Sequence, residues 1–428
     1  MSQNFVLIVF TISYLLFGFF PSKRTIVAVV SALMLTIFCL YKFNRLLIAA
    51  INVNVISIFI GTMLVSNLIV ESGIAEYIAE KIILKTKSVR WSFLILCIIC
   101  GFLSIFLDNV STVIIVAPVA IQIAKKLNIN PTKIIFAVAI SSNLQGTATL
   151  IGDPPSMLLA SATGMTFLDF FYYKMKPSIF FVVQLGAMSS FFVLYLIFSK
   201  FRQQIHNYNL STTKVSSWIP LYTLACMVFL LIFTSFFKTS LKKDYLFVAG
   251  TICLFFGIIS LLIKKFLFKS SLLKSFNLLD WETVLFLASV FVIIESVETA
   301  GLLERFAYKF ITMVGNNKFI IYSLFVFFAM LLSGFIDNIP FFATMIPVAK
   351  IVSLQTNMSL ELLLFGLLIG CTLGGNITPT GASANIVGWG MLKKEGYNAT
   401  FLDFIKIGLP FTIAAVLPAY VFIWFIWR

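Results

Sequence analysis

The chain consists mostly of long apolar runs, and the polar residues that interrupt some of them carry the functional information. Uninterrupted runs of about 17 to 25 apolar residues can cross a bilayer as helices. They occur at 4–20, 25–41, 46–70, 177–199, 218–237, 245–263, 281–300 and 401–427. Four further stretches, 91–125, 133–162, 319–350 and 361–392, are equally apolar but broken by Gly, Pro, Asp, Asn and Thr. A membrane barrel would instead show alternating segments of about ten residues. The pattern predicts an all-α polytopic membrane protein.

The interruptions come in matched pairs. A shift of 229 residues, without a gap, carries Asp108–Met157 onto Asp337–Ile386, with identity at 12 of those 50 positions. Among the matches are Asp108/Asp337, Asn109/Asn338, Pro118/Pro347, Gly146/Gly375, Thr149/Thr378 and Gly152/Gly381. Farther on, Phe167-Leu168-Asp169-Phe170 recurs as Phe401-Leu402-Asp403-Phe404. Shared hydrophobicity alone would not hold a register on Asp, Asn, Pro, Thr and Gly. The chain therefore divides into repeat 1 (1–205), a connecting loop (206–217) and repeat 2 (218–428). Each repeat holds scaffold helices (1–70; 218–300), a hairpin (91–125; 319–350), a broken helix (133–162; 361–392) and a last helix (177–199; 401–427).

Counting crossings gives the repeats their relation. The stretch 91–125 has short apolar arms around Asp108-Asn109-Val110-Ser111-Thr112 and basic residues at both ends, Lys85, Lys87 and Arg90 before it and Lys125 and Lys126 after it. A re-entrant hairpin places both ends on one side, and basic ends favour the cytoplasm. With the hairpin counted as no net crossing, each repeat crosses five times, and an odd number inverts the second copy. The expectation is two inverted-topology repeats, with both termini outside.

Composition narrows the function. Of 428 residues 60% are apolar and 11% charged, far below the quarter typical of soluble domains. The formal charge of +15 sits in short basic clusters between apolar runs, where it sets orientation against anionic lipid rather than binding nucleic acid. Cys97 and Cys100 lie inside an apolar run and read as small hydrophobes, and the one histidine, His206, lies in the polar loop. No cofactor is expected, and no nucleotide-binding loop of the G-x-x-x-x-G-K-[ST] type occurs. The apolar start is read as a retained helix, because it lacks a basic leader.

The candidate chemistry lies at the interruptions. An ionised Asp at the bilayer centre costs roughly 2.5 to 3.5 kcal/mol on insertion scales, yet Asp108 and Asp337 recur at matched tips with no Lys or Arg in either turn. They are assigned to proton acceptance or cation ligation, with Asn109 and Asn338 supplying amide groups. Ser111 and Thr112 face Pro340 and Phe341 in the other copy, so the half-sites are expected to be unequal. In the broken helices, Thr149 and Gly152, and Thr378, Gly381, Ser383 and Asn385, sit where freed carbonyls can hold a cation and the following half-helix directs its dipole at an anion. Candidate sodium ligands are Asp108, Asn109 and Gly152, and Asp337, Asn338 and Gly381. Asp153 has Ala382 as its counterpart and fits a helix N-cap followed by Pro.

These motifs, Asp108-Asn109-Val110-Ser111-Thr112 with Pro118, Gly146-Thr147-Ala148-Thr149-Leu150-Ile151-Gly152-Asp153-Pro154-Pro155, and Gly374-Gly375-Asn376-Ile377-Thr378-Pro379 with Gly381, Ala382, Ser383 and Asn385, resemble the ion transporter superfamily. Within it the chain is most similar to the branch of arsenite permeases, NhaD-type sodium/proton antiporters and the melanosomal P protein. Divalent anion/sodium symporters and citrate transporters are more distant. The resemblance implies an integral protein of the cytoplasmic membrane, a homodimer in membrane lipid, and elevator-type alternating access. Two departures stand out: Asp-Asn occupies both tips where the carboxylate symporters carry Ser-Asn-Thr, which argues against a dianion, and Ser156 replaces the usual Asn after Pro-Pro.

The leading expectation is a secondary transporter, and no enzyme, that moves a small inorganic or organic anion or oxyacid with sodium or protons. The alternative is a sodium/proton antiporter. An intramembrane aspartyl protease would read G-x-G-D where this chain has Leu150-Ile151-Gly152-Asp153, and a passive channel would not need paired titratable groups.

Overall fold

A break in a membrane helix frees N–H and C=O groups that hydrocarbon cannot satisfy, so the interrupted stretches dictate what must pack against what. The computed structural model describes residues 2–43, 47–86, 88–201, 203–204, 213–237, 245–269, 271, 277 and 279–428. His206 and most of the connecting loop lie outside the described residues.

Eighteen α-helices account for the described chain. The first nine are α1 (Ser2–Phe19), α2 (Arg24–Phe43), α3 (Val53–Ser72), α4 (Ile74–Ile83), α5 (Val89–Ser104), α6 (Asn109–Lys126), α7 (Thr132–Gly146), α8 (Pro154–Thr163) and α9 (Ile179–Ile197). The next nine are α10 (Ile219–Ser235), α11 (Tyr245–Leu267), α12 (Trp281–Thr299), α13 (Leu302–Val314), α14 (Lys318–Ser333), α15 (Asn338–Thr356), α16 (Leu360–Gly374), α17 (Ser383–Lys394) and α18 (Phe401–Trp427). One two-stranded ribbon, Tyr172–Tyr173 with Lys176–Pro177, joins α8 to α9. Among the described residues seven helices are long and apolar enough to span a bilayer, or eight if the bent pair α12 and α13 forms one span. The chain is an integral, all-α, multi-pass membrane protein.

Two helices lie outside the apolar runs. α4 and α13 each follow a glycine in the left-handed region, Gly73 at φ 72° and Gly301 at φ 69°, which turns the chain sharply; α13 leaves α12 at 69°. Both helices mix apolar residues with charge, Glu76, Glu80 and Lys81 in one and Glu304, Arg305 and Lys309 in the other. Those charges end the apolar run, so a reading by hydrophobic length treats the segments as connections.

The interrupted stretches resolve into pairs of arms. α5 and α14 have 16 residues each, about 24 Å at 1.5 Å per residue, and their partners α6 and α15 have 18 and 19. Helices pair across the two halves: α3 lies along α11, α2 along α12, and α9 along α18. Lipid is as apolar as the side chains, so such pairs hold by close packing of small residues. A Cβ on Gly61 would overlap the Cys253 carbonyl of α11. Gly186 of α9 meets the Ala415 carbonyl of α18 in the same way, at 2.8 Å from an added Cβ.

Gly61→Val is therefore expected to destabilise the α3–α11 crossing by about 1–3 kcal/mol, the usual cost of overpacking. Gly390→Ala, where an added Cβ meets nothing within 4 Å, should be neutral. Thermal unfolding of the two variants in detergent, each against wild type, checks both.

Candidate functional site

Asp108 and Asp337 sit at the entry to α6 and α15 as N-caps. The Asp108 carboxylate accepts the Ser111 N–H at 2.8 Å, and that of Asp337 accepts the Ile339 N–H at 3.0 Å. Each places negative charge at the positive end of a helix dipole. The two tips are tied to the broken helices by bonds that recur 229 residues apart. The Thr149 hydroxyl donates to the Ile105 carbonyl at 2.6 Å, and the Thr378 hydroxyl donates to the Gly334 carbonyl. The Ser142 hydroxyl donates to the Asn109 carbonyl at 3.1 Å, and the Cys371 thiol donates to the Asn338 carbonyl at 3.0 Å.

Glycine makes these breaks tight. A Cβ on Gly152 would overlap the Gly146 carbonyl, and one on Gly381 would come within 2.5 Å of the Gly375 carbonyl. One on Gly146 would also collide with the Asn109 side chain. The loops thus fold back on themselves against the tips.

Between the tips lies a cavity of about 570 Å³. Asp108, Asn109, Ser111, Gly152, Asp153, Asp337, Asn338 and Ser383 line it, so eight side chains or backbones named from sequence share one wall. Thr112, Thr149, Thr378, Gly381 and Asn385 do not line it. The hydroxyls of Thr149 and Thr378 are spent on the backbone, and Thr112 donates to the Asp108 carbonyl at 3.0 Å. Asn385 is buried, donating to the Gly375 and Thr378 carbonyls at 3.0 and 3.1 Å. It holds the second break closed.

Asp153 accepts the Ser156 N–H at 3.1 Å and the Thr147 hydroxyl at 3.3 Å, with Pro154 opening α8 behind it. The carboxylate is a helix cap that also faces the cavity.

Four features escaped the sequence. The first corrects the expectation of two unpaired tips: Arg24, at the start of α2, pairs with the Asp337 carboxylate and donates to the Ser383 hydroxyl at 2.9 Å. The second is a bridge between the broken helices, in which the Asn143 amide donates to Asn376 and to Asn385, both at 2.9 Å. The third is the ion pair Lys264–Glu71 at 2.9 Å on the cavity wall. The fourth is Asp280, which caps α12 by accepting the Thr283 N–H at 3.0 Å and also faces the cavity. Among the described residues the wall carries five carboxylates, Glu71, Asp108, Asp153, Asp280 and Asp337, and one cation, Lys264, while Arg24 pairs with Asp337 without itself lining the cavity.

Two buried polar atoms on this wall have no hydrogen-bond partner: Oδ2 of Asp108 and Nδ2 of Asn67. A buried acceptor or donor left unmade costs about 1–3 kcal/mol. One is an acceptor that suits a proton or cation, and the other is a donor that suits an oxygen.

A family model described as citrate transporter matches residues 5–349 and, in a second match, residues 245–428. An uncharacterized transporter of Mycobacterium bovis is 28% identical, the match covering 97% of this chain and 96% of that one. The human P protein is 25% identical over 85% of this chain, which spans 52% of that longer relative. Among solved structures, the YdaH transporter of Alcanivorax borkumensis aligns with a TM-score of 0.58 at 12% identity, covering 88% of this chain and 84% of that one. MtrF of Neisseria gonorrhoeae aligns with a TM-score of 0.57 at 11% identity, covering 99% and 94%. At such identities the two structures speak for the fold alone.

Asp153→Ala removes the cap of α8 and is expected to cost ~1 kcal/mol; Asp153→Asn keeps an accepting oxygen and should cost less. Detergent melting curves of the two variants distinguish them.

Proposed function

The chain belongs to the citrate transporter family, and from that premise we propose that it is a secondary transporter that moves a small anion or oxyacid together with sodium or protons. The observation that carries this reading is the pair of unpartnered atoms on one cavity wall, Asp108 Oδ2 and Asn67 Nδ2. Asp108 takes the coupling cation, with Asn109 and Ser111 beside it. Asn67 and the N-terminal turns of α6, α8, α15 and α17 take the oxygens of the solute.

The charge on the wall supports coupling. With five carboxylates against Lys264 on the wall and Arg24 paired to Asp337, a bare anion meets repulsion, and it becomes bindable once Asp108 is protonated or holds a cation. The family description makes citrate one sensible probe, beside arsenite, phosphate and smaller carboxylates. The same matched tips and breaks fit inverted repeats and an elevator-type exchange, with the arms α5–α6 and α14–α15 moving together with α7–α8 and α16–α17, in a homodimer.

The excess of carboxylates also favours a second reading, sodium/proton antiport, in which no anion travels. The two readings separate in proteoliposomes. Uptake of one of these solutes, dependent on an imposed sodium or proton gradient, supports the first; a pH-driven sodium flux with no solute added supports the second.

Asp108→Asn removes a charged ligand worth about 1.5–3 kcal/mol, so gradient-driven uptake is expected to fall by roughly 10- to 100-fold. Wild-type uptake and unchanged pH dependence in this variant would remove Asp108 from the site.

A further inference from the structure

The two matched carboxylates are treated differently by the fold. At Asp337, one oxygen accepts the Ile339 N–H and the other is paired with the Arg24 guanidinium, which also donates to Ser383 at 2.9 Å. Arg24 reaches both elements of that half-site, the tip of α15 and the first residue of α17, from outside the repeat that contains them. Its stem is largely buried, with 14% of the side chain exposed, and its guanidinium also lies 5.1 Å from the centroid of Phe286.

At Asp108 there is no such partner. One oxygen accepts the Ser111 N–H at 2.8 Å and the other is buried and unpartnered. The position matched to Ser383 is Pro154, which has no hydroxyl to offer. Of the other charged groups on the cavity wall, Lys264 is committed to Glu71 at 2.9 Å, and Asp280 is an acid that caps its own helix.

We propose that Arg24 is a tethered cation that occupies the second half-site in this conformation, so that of the two matched tips only Asp108 takes up an exchangeable cation; Asp153, the remaining carboxylate facing the cavity, is engaged as the cap of α8 by the Ser156 N–H and the Thr147 hydroxyl. The guanidinium does at Asp337 what a proton or sodium ion does at Asp108, neutralising the carboxylate, and it also donates to Ser383 in the neighbouring break. A guanidinium stays charged at all physiological pH values, so this half-site neither loads nor releases a cation while the Arg24 pair is formed. The inference rests on the cation-coupled reading above and adds its stoichiometry.

The test counts exchangeable cations on the purified full-length chain in detergent. Binding of radioactive sodium is measured at alkaline pH, and proton uptake is measured as the carboxylic-acid C=O infrared band gained on acidification, both read as differences between variants. Asp108→Asn is expected to lose one exchangeable cation relative to wild type, and Asp337→Asn to lose none. Arg24→Gln should gain one, the gain vanishing when Asp337→Asn is added, and Arg24→Lys should restore the wild-type number. Loss of a cation in Asp337→Asn, or no gain in Arg24→Gln while Asp108→Asn still loses one, overturns the inference and leaves the coupled reading standing. If Arg24→Gln does not fold, the comparison of Asp337→Asn with Asp108→Asn decides alone. No loss in Asp108→Asn overturns the coupled reading itself.

Discussion

A helix can be interrupted inside a membrane only if every backbone group it frees finds a partner in the protein, and this chain meets that constraint by making its interruptions partners of one another. Each broken helix sends a hydroxyl back to the end of its arm pair, from Thr149 to Ile105 and from Thr378 to Gly334. Asn143 then joins the two breaks through Asn376 and Asn385. Glycines at 146, 152, 375 and 381 let these segments approach without side chains between them. The cavity exists because these contacts hold four helix N-termini and two acidic tips around one space.

That arrangement explains why duplication serves transport. A single break with a single tip presents one helix dipole to a solute, whereas two in register surround it. Yet the copies are not equivalent. The first tip keeps an unpartnered carboxylate oxygen and adds Ser111, while the second is occupied by Arg24 and flanked by Pro340 and Phe341.

Much of this was legible in the sequence. Apolar run length located the long helices, because hydrocarbon thickness imposes it, and an ungapped register on Asp, Asn, Thr and Gly located the tips and breaks. What stayed hidden depended on three-dimensional neighbours. Arg24 stands 313 residues from Asp337 and reads as one more basic residue in a loop that orients the chain. Asn143 lies in a uniformly buried helix, where nothing in the pattern marks an amide as a bridge. At Thr149 and Thr378 the sequence cannot tell whether a hydroxyl serves a solute or a carbonyl, and the structure shows each donating to a carbonyl. α4 and α13 leave no such mark, because their charges end the apolar run that announces a membrane helix.

The central claim is that a cation binds at Asp108 and moves charge through the protein. Its most direct measurement is the transient current from proteoliposomes on a solid-supported membrane after a jump in sodium concentration or pH, with no solute present. The account predicts a charge displacement on one of these jumps that disappears in Asp108→Asn. A displacement of wild-type size in that variant, or none in the wild type for either cation, would contradict it.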